Sequence, residues 1–388
     1  MDKNDRHNLL YLVGTLGMGG AEMLLLHYSQ ALGNDKFNHN VYCFGIDGPI
    51  RPLLEDLGVS VALGPQVESI KNPFKFAFSL FALFKSLLKF IKQNKIHTIH
   101  SHNPQSDKLA VVVGKLTGIP AFPTIHNTMF TVDRRSKFDP RMYLVKAVDH
   151  IIYRIADRVI AVSEEVKDVI CTRYNLEKSK VVVVKNGIYF NPLSNNSIRT
   201  SSDSAQHNDG LKLFAVGRLA YQKNFEVLIK ATDYLLKIGY KNIRVQIAGQ
   251  GEEYQMLLTL IQDLHLERHV ELLGIRSDVL ELMQGADLFV MPSRYEGLSI
   301  AMIEALACGL PVIASDAPGL RDYIRNNQNG MLFPIGDYKS MAECISKISE
   351  DKNLHIQLSQ GAQESFLENF DMRRNIEPLT QLMSDFRV

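Results

Sequence analysis

The segment EGLSIAMIEALACGLP, Glu296 to Pro311, places two carboxylates in an otherwise apolar run, Glu296 and Glu304, with seven residues between them. An unpaired buried charge costs several kcal/mol, so both acids must face either water or a ligand. A strand candidate ends near Met291 and Glu296-Gly297 makes a turn. A helix then begins near Leu298 or Ser299 and is stopped by Gly309 and Pro311. This puts Glu296 just before a helix N-terminus, beside the unpaired N–H groups of Leu298 and Ser299, and Glu304 one to two turns inside, leaning back toward that end. Carboxylates accept hydrogen bonds, so acids placed this way suit hydroxyls rather than phosphate.

Cations occur at a second strand end. VGRLAYQKN, Val216 to Asn224, sets Arg218 and Lys223 beyond the strand candidate Leu211–Val216. On the residues alone, an anion site and a solvated surface pair are equally good readings. Near the N-terminus, GTLGMGGAEMLLL, Gly14 to Leu26, lets backbone approach a ligand before a helix begins near Ala21. It lacks GxGxxG spacing, however, and glycines also serve to pack helix on strand. His102 in HSHN and His126 in FPTIHN each follow a strand candidate, where a lone histidine is more often a hydrogen-bonded structural residue than a reactive one.

Short Val/Ile-rich runs alternating with longer helical stretches carry these residues, the pattern of an α/β protein with parallel sheets wound by helices. The first half offers strands at Asn8–Val13, Asn40–Phe44, His97–Ser101, Phe122–His126, Arg158–Val162 and Lys180–Lys185. The second offers Leu211–Val216, Arg244–Ala248, Val270–Leu273, Leu288–Met291 and Pro311–Ser315. Between them, Asn191 to Gly210 is rich in Ser, Asn and Asp, as a solvated linker or surface loop is. Two domains of similar architecture are therefore expected, with their boundary near that stretch. No fixed-period repeat relates them. Ligands of such sheets bind at the carboxyl ends of the strands, where the residues singled out above lie.

Bulk properties agree, since 388 residues suit two compact domains rather than one core. At 46% hydrophobic and 22% charged residues with a net charge of +1, the composition is neither disordered nor basic enough for a nucleic-acid partner. Cys43, Cys171, Cys308 and Cys344 form no CxxC pair, which points to reduced thiols in a cytoplasmic protein rather than to zinc or disulfides. The glycines after Val13 cut the N-terminal apolar run into a strand and a later helix, unlike a signal peptide. No apolar run is long enough to span a membrane. Asn72 to Lys95, rich in Phe and Leu with five lysines and no acid, has two readings: a buried helix, or an interfacial helix with snorkelling lysines.

Taken together, the sequence resembles the retaining glycosyltransferases of the GT-B fold, in particular family 4. Glu296 and Glu304 reproduce that family's E-x7-E signature. The GGAE of Gly19–Glu22, the GRL with downstream Lys223, the AGQG of Ala248–Gly251, the LLGIRSDV of Leu272–Val279 and the run EGLSIAMIEALACGLPVIAS all occur in family order, spanning nearly the whole chain.

The resemblance implies two Rossmann-like domains, 1–190 and 191–373, facing each other across a deep cleft, with a helix near 374–388 packing back on the first. It further implies a metal-independent hexosyl or N-acetylhexosaminyl transfer from a nucleotide-sugar, a UDP-sugar by analogy with surface-glycan enzymes that begin in a similar GMGGAE. Carried over residue by residue, Arg218 and Lys223 hold the diphosphate with the amides of Gly297, Leu298 and Ser299 and with Gly20. Glu296 binds the donor sugar, Glu304 the ribose, His126 reaches the sugar, and Gly249, Gly251 and the backbone around Arg276 meet the nucleoside. Neither a cofactor nor a metal is implied. The acceptor is expected to be a lipid-linked glycan, approached by Asn103–Lys108 and the basic stretch Thr131–Arg141 at an anionic membrane face. A nucleotide-sugar epimerase or a sugar phosphorylase of the same architecture is the alternative, although no pyridoxal phosphate lysine signature stands out. A catalytically dead binding protein would require loss of Arg218, Lys223, Glu296 or Glu304, all of which are present.

Overall fold

A computed structural model of the chain describes residues 6–17, 19–67, 73–126, 140–190, 210–296 and 298–386. It forms two compact units, residues 1–189 with 372–388, and residues 190–371.

The first unit runs β1 (His7–Thr15), α1 (Gly20–Leu32), β2 (Phe37–Ile46), α2 (Ile50–Asp56), β3 (Ser60–Leu63), α3 (Pro73–Gln93), β4 (Thr98–His102), α4 (Pro104–Thr117), β5 (Ala121–Ile125), α5 (Pro140–Ile155), β6 (Val159–Ala161), α6 (Glu164–Tyr174) and β7 (Val181–Val183). Its strands form one sheet in the order β3-β2-β1-β4-β5-β6-β7, and every pairing is parallel. Leu9, Leu10, Leu12, Ile99 and Phe122 are fully buried on its central strands, because helices cover both faces of a parallel sheet.

The second unit runs β8 (Leu211–Val216), α7 (Glu226–Lys237), β9 (Ile243–Ala248), α8 (Tyr254–Asp263), β10 (Val270–Gly274), α9 (Val279–Gly285), β11 (Leu288–Met291), α10 (Ile300–Ala307), β12 (Val312–Ser315), β13 (Gly330–Phe333), α11 (Tyr338–Glu350) and α12 (Lys352–Asn369). Its sheet is likewise parallel, in the order β10-β9-β8-β11-β12-β13, over a core that includes Leu213, Val245, Val290 and Ile313.

The chain then re-enters the first unit as α13 (Met372–Asn375) and α14 (Glu377–Asp385). Met372 N donates to Ile188 O at 3.0 Å and Asn375 Nδ2 to Asn186 O at 3.2 Å. Phe386 meets Phe122 edge-on at 5.3 Å, and Leu379, Leu382 and Met383 are buried.

In each sheet the strand order reverses beside the first strand, between β1 and β4 and between β8 and β11. There the chain leaves neighbouring strands in opposite directions, which opens a crevice at the carboxyl ends.

All eleven strands read from the sequence are present, with ends shifted by a few residues at most. His126 falls just beyond β5 rather than within it, and Lys180–Lys185 contracts to Val181–Val183. Two strands had not been expected, β3 and β13. Each is four residues long at a sheet edge, where one neighbour suffices and little apolar patterning is needed. The Asn72–Lys95 segment divides its face: Leu83, Leu87 and Ile91 are buried, while Phe74, Phe78 and Phe81 stand exposed. The buried-helix reading therefore holds only for the later turns. The linker residues 191–209 and most of the basic Thr131–Arg141 stretch lie outside the described residues.

Candidate active site

The switch point of the second unit gathers most of the residues singled out in the sequence. The loop after β8 carries Arg218 and Lys223, and the loop after β11 carries Glu296 and leads into α10. Lys223 Nζ lies 2.6 Å from Glu296 Oε1, and Ser293 Oγ donates to the same oxygen at 2.6 Å. Gln222 Nε2 donates to Tyr295 O at 3.0 Å and reaches Glu296 Oε2 at 3.4 Å. The Glu296 side chain is only 6% exposed. Removing one partner of so enclosed a pair would leave the other charge unpaired, at a cost of about 3–5 kcal/mol.

Arg294 stitches the same two loops together. Its guanidinium lies 4.2 Å from the Tyr221 ring, donates to Asn224 Oδ1 at 2.8 Å and approaches Glu226 at 3.5 Å. Asn224 adopts a left-handed φ of 55°, which asparagine tolerates better than most residues.

The two cations expected to act as one clamp have different partners. Arg218 pairs with Glu252 at 3.1 Å, and its side chain is 72% exposed. Such an ion pair contributes little and opens at little cost. Arg276 is likewise held by its own neighbour, Asp278, through Nε at 2.7 Å and through Nη2.

Glu304 answers the question its sequence position raises. It lies in the middle of α10 and is 9% exposed, and it has no hydrogen-bond or ion-pair partner among the described residues. Burial pushes its carboxyl up to about 7. Ser299 caps the helix, its Oγ accepting from Met302 N at 3.5 Å. The remaining backbone N–H groups of the first turn, with their partial positive charge, lie at the loop that holds Glu296. Leu298 is part of that approach, whereas Gly297 lies outside the described residues.

Gly249 and Gly251 have a packing reason for being glycine. A Cβ at Gly249 would stand 1.9 Å from Gly217 O, and one at Gly251 2.2 Å from Leu219 O. The loops after β8, β9 and β10 run this close because Gly217 N donates to Ala248 O, Leu219 N to Gln250 O and Gly249 N to Gly274 O.

Within the first unit, Gly20 opens α1 next to the N-cap Gly19. A Cβ at Gly19 would stand 2.2 Å from Glu22 Oε2, since the mostly buried Glu22 folds back over the helix start. His126 is half-buried beyond β5, and its Nε2 lies 3.0 Å from Nδ1 of the fully buried His102. Burial pushes the His126 imidazole down to about 4 and holds His102 well below its ordinary value, with His100 and His126 nearby. The Asn103–Lys108 stretch begins α4, where the buried Asp107 accepts from Ser101 Oγ at 2.7 Å and Tyr153 OH at 3.0 Å.

Ser293, Gln222 and Arg294 escaped the sequence reading. Ser293 had a local signal, a hydroxyl three residues before a carboxylate on a turn. Gln222 and Arg294 had none, because their partners lie about seventy residues away across the switch point.

Two Rossmann-like units in one chain are the architecture of the GT-B class, and comparison with known proteins gives the family. The family model described as "Glycosyltransferase Family 4" matches residues 18–190, and "Glycosyl transferases group 1" matches residues 197–365. An Escherichia coli UDP-Gal:alpha-D-GlcNAc-diphosphoundecaprenol alpha-1,3-galactosyltransferase is 26% identical over 96% of this chain and 95% of its own length. A Campylobacter jejuni N,N'-diacetylbacillosaminyl-diphospho-undecaprenol alpha-1,3-N-acetylgalactosaminyltransferase is 26% identical over 81% of this chain and 83% of its own. Among solved structures, Anabaena HepE in complex with UDP-glucose superposes with a TM-score of 0.78 at 20% identity, covering 97% of this chain and 99% of that one. The chain belongs to the family 4, group 1 glycosyltransferases and has their GT-B fold.

Proposed function

We propose that this glycosyltransferase moves a hexosyl or N-acetylhexosaminyl group from a UDP-sugar to a hydroxyl of a lipid-linked glycan, with retention at the anomeric carbon and without a metal ion. The observation that carries the reading is Glu304, a buried carboxylate without a partner one turn inside a helix that starts at the sheet's switch point. Ribose hydroxyls would supply the hydrogen bonds it lacks. The names of the Escherichia coli and Campylobacter jejuni relatives support a lipid-linked acceptor, and the former supports UDP. Both matching families are glycosyltransferases, so the epimerase and phosphorylase readings gain no supporting observation.

In this reading the pyrophosphate lies over the α10 N-terminus and draws in Arg218 and Lys223, helped by the amides of Gly297, Leu298 and Ser299. Two cations and about half a unit from the helix end offset most of the charge that grows on the departing UDP. A metal would be redundant for that step. Lys223 touches both the phosphate and Glu296, which sets the sugar subsite directly beside the diphosphate subsite. Gly249, Gly251 and the backbone around Arg276 border the nucleoside, and His126 reaches the sugar.

Glu296 orients and stabilises the sugar rather than attacking it. Its Oε1 already receives hydrogen bonds from Lys223 and Ser293, and such bonds withdraw the electron density a nucleophile needs. The acceptor then approaches on the face from which UDP leaves, and a UDP phosphate oxygen takes its proton. The enzyme works at the cytoplasmic membrane face, docked by α3, whose exposed Phe74, Phe78 and Phe81 accompany five lysines and no acid between Asn72 and Lys95.

Thermal shift with UDP, GDP, ADP and CMP tests the donor, because a ligand bound only by the folded state raises its stability. UDP is expected to stabilise most. Transfer from UDP-hexoses and UDP-N-acetylhexosamines to an undecaprenyl-diphosphate-linked sugar, in the presence of EDTA, tests the reaction. A product of inverted configuration, loss of transfer with EDTA, or a glycosyl adduct on Glu296 would overturn the corresponding part of the mechanism.

A further inference from the structure

The contact between His102 Nδ1 and His126 Nε2, 3.0 Å long, holds one proton. One ring donates and the other accepts, and each neutral imidazole has a single N–H. Two arrangements satisfy this. Either His126 donates from Nε2 and His102 carries its proton on its own Nε2, or His102 donates from Nδ1 and His126 carries its proton on Nδ1.

The far end of His102 distinguishes them. His102 is fully buried, its Nε2 has no hydrogen-bond partner, and aromatic rings pack round it: His100 at 4.3 Å, Tyr28 at 5.7 Å and Tyr11 at 6.4 Å between centroids. The first arrangement would bury an N–H with no acceptor, the rarest kind of orphan in folded proteins. The second leaves a bare ring nitrogen there and spends the N–H on His126. The two rings lie nearly parallel, 27° apart, so the whole contact is held by packing on the buried His102.

We propose that His102 is a positioning residue that fixes His126 as a hydrogen-bond donor, so that His126 presents Nδ1–H, and not a basic lone pair, beyond the carboxyl end of β5. Nδ1 of His126 makes no hydrogen bond among the described residues. A ligand oxygen is its natural partner, and if the donor reading above holds, that oxygen is a hydroxyl of the transferred sugar. His126 then contributes orientation and takes no part in removing the acceptor's proton.

The protonated nitrogen can be read directly by long-range 15N–1H correlation on the ligand-free, histidine-labelled protein at neutral pH. The expected result is His126 in the Nδ1–H form and His102 also protonated at Nδ1. Finding His126 protonated at Nε2 overturns the proposal whatever the enzyme's substrate proves to be. In kinetics, His102→Asn keeps an N–H donor near the position of Nδ1 and is expected to retain the His126 tautomer and most of the wild-type kcat/KM. His102→Leu removes that donor and is expected to lower kcat/KM for the donor sugar about tenfold, the equivalent of one hydrogen bond. UDP lacks the transferred sugar, so its thermal shift should be the same in both variants. Equal losses in the two variants with UDP binding intact would show that His102 acts through packing alone and would also overturn the proposal. If His102→Leu does not fold, the wild-type spectrum and the asparagine variant still decide.

Discussion

A carboxylate in the middle of a helix has to be explained by what it touches, and Glu304 touches no hydrogen-bonding group among the described residues. Its folded-state value of about 7 against an ordinary 4.5 has a definite sign. Between those values the folded chain holds a proton that the unfolded chain releases, so stability falls as pH rises through the window, and the full penalty applies above it. Glu304→Gln should therefore be more stable than wild type at pH 8, by up to about 3 kcal/mol, with the two melting curves converging at low pH. The same variant should bind UDP at least about tenfold more weakly, because an amide is a poorer hydrogen-bond acceptor for ribose than a carboxylate. Calorimetry across pH, with and without UDP, measures both. A variant that binds UDP as well as wild type would remove Glu304 from the site. The spacing of Glu296 and Glu304 was legible in one dimension because a helix start and a turn are local events. The Lys223–Glu296 pair was not legible, since 73 residues separate the two and only the strand order brings them together.

At the scale of elements, the loops rather than the helices set the tolerances. Gly249, with φ at 136° and Gly217 O standing where a Cβ would go, leaves no room for a side chain. Gly249→Ala is expected to destabilise the protein by about 2–4 kcal/mol and to weaken nucleotide binding, since the loop bearing Arg218 must move. Gly285, at the end of α9 with open space around its Cα, is the control. Gly285→Ala should stay within about 1 kcal/mol of wild type and leave UDP binding unchanged. Urea unfolding of both variants tests the contrast. The strands flanking these loops were readable because buried parallel strands are continuous apolar runs. The edge strands β3 and β13 were not, being only four residues long, too short for a distinctive apolar run. Why Gly249 and Gly251 must be glycine was also hidden, because the oxygens they make room for belong to another loop.

At the scale of the whole chain, a net charge of +1 conceals a local imbalance. The exposed side of α3 presents Phe74, Phe78 and Phe81 beside exposed lysines, including Lys85, Lys89 and Lys92. Aromatic insertion supplies affinity for a bilayer interface, and each lysine near an anionic surface adds about 1 kcal/mol. The protein should float with vesicles containing anionic lipid and less so at high salt. Replacing Phe78 and Phe81 with serine should cut the partitioning about tenfold or more while leaving transfer to a water-soluble acceptor unchanged. Equal flotation with zwitterionic vesicles would exclude an electrostatic contribution. The sequence left this helix between two readings because composition gives its polarity but not which turns face the core.

The chain passes from the first unit to the second near residue 189 and returns near 372, so the second unit is continuous and the first is not. Leu379, Leu382, Met383 and Phe386, far along the chain, pack on the unit whose sheet begins at His7. During synthesis the later unit can finish folding while the earlier one waits, its apolar surface open until residues 372–386 have emerged from the ribosome. A stop codon just before Leu379 should therefore harm the N-terminal half of this protein, and chaperone demand should fall there too.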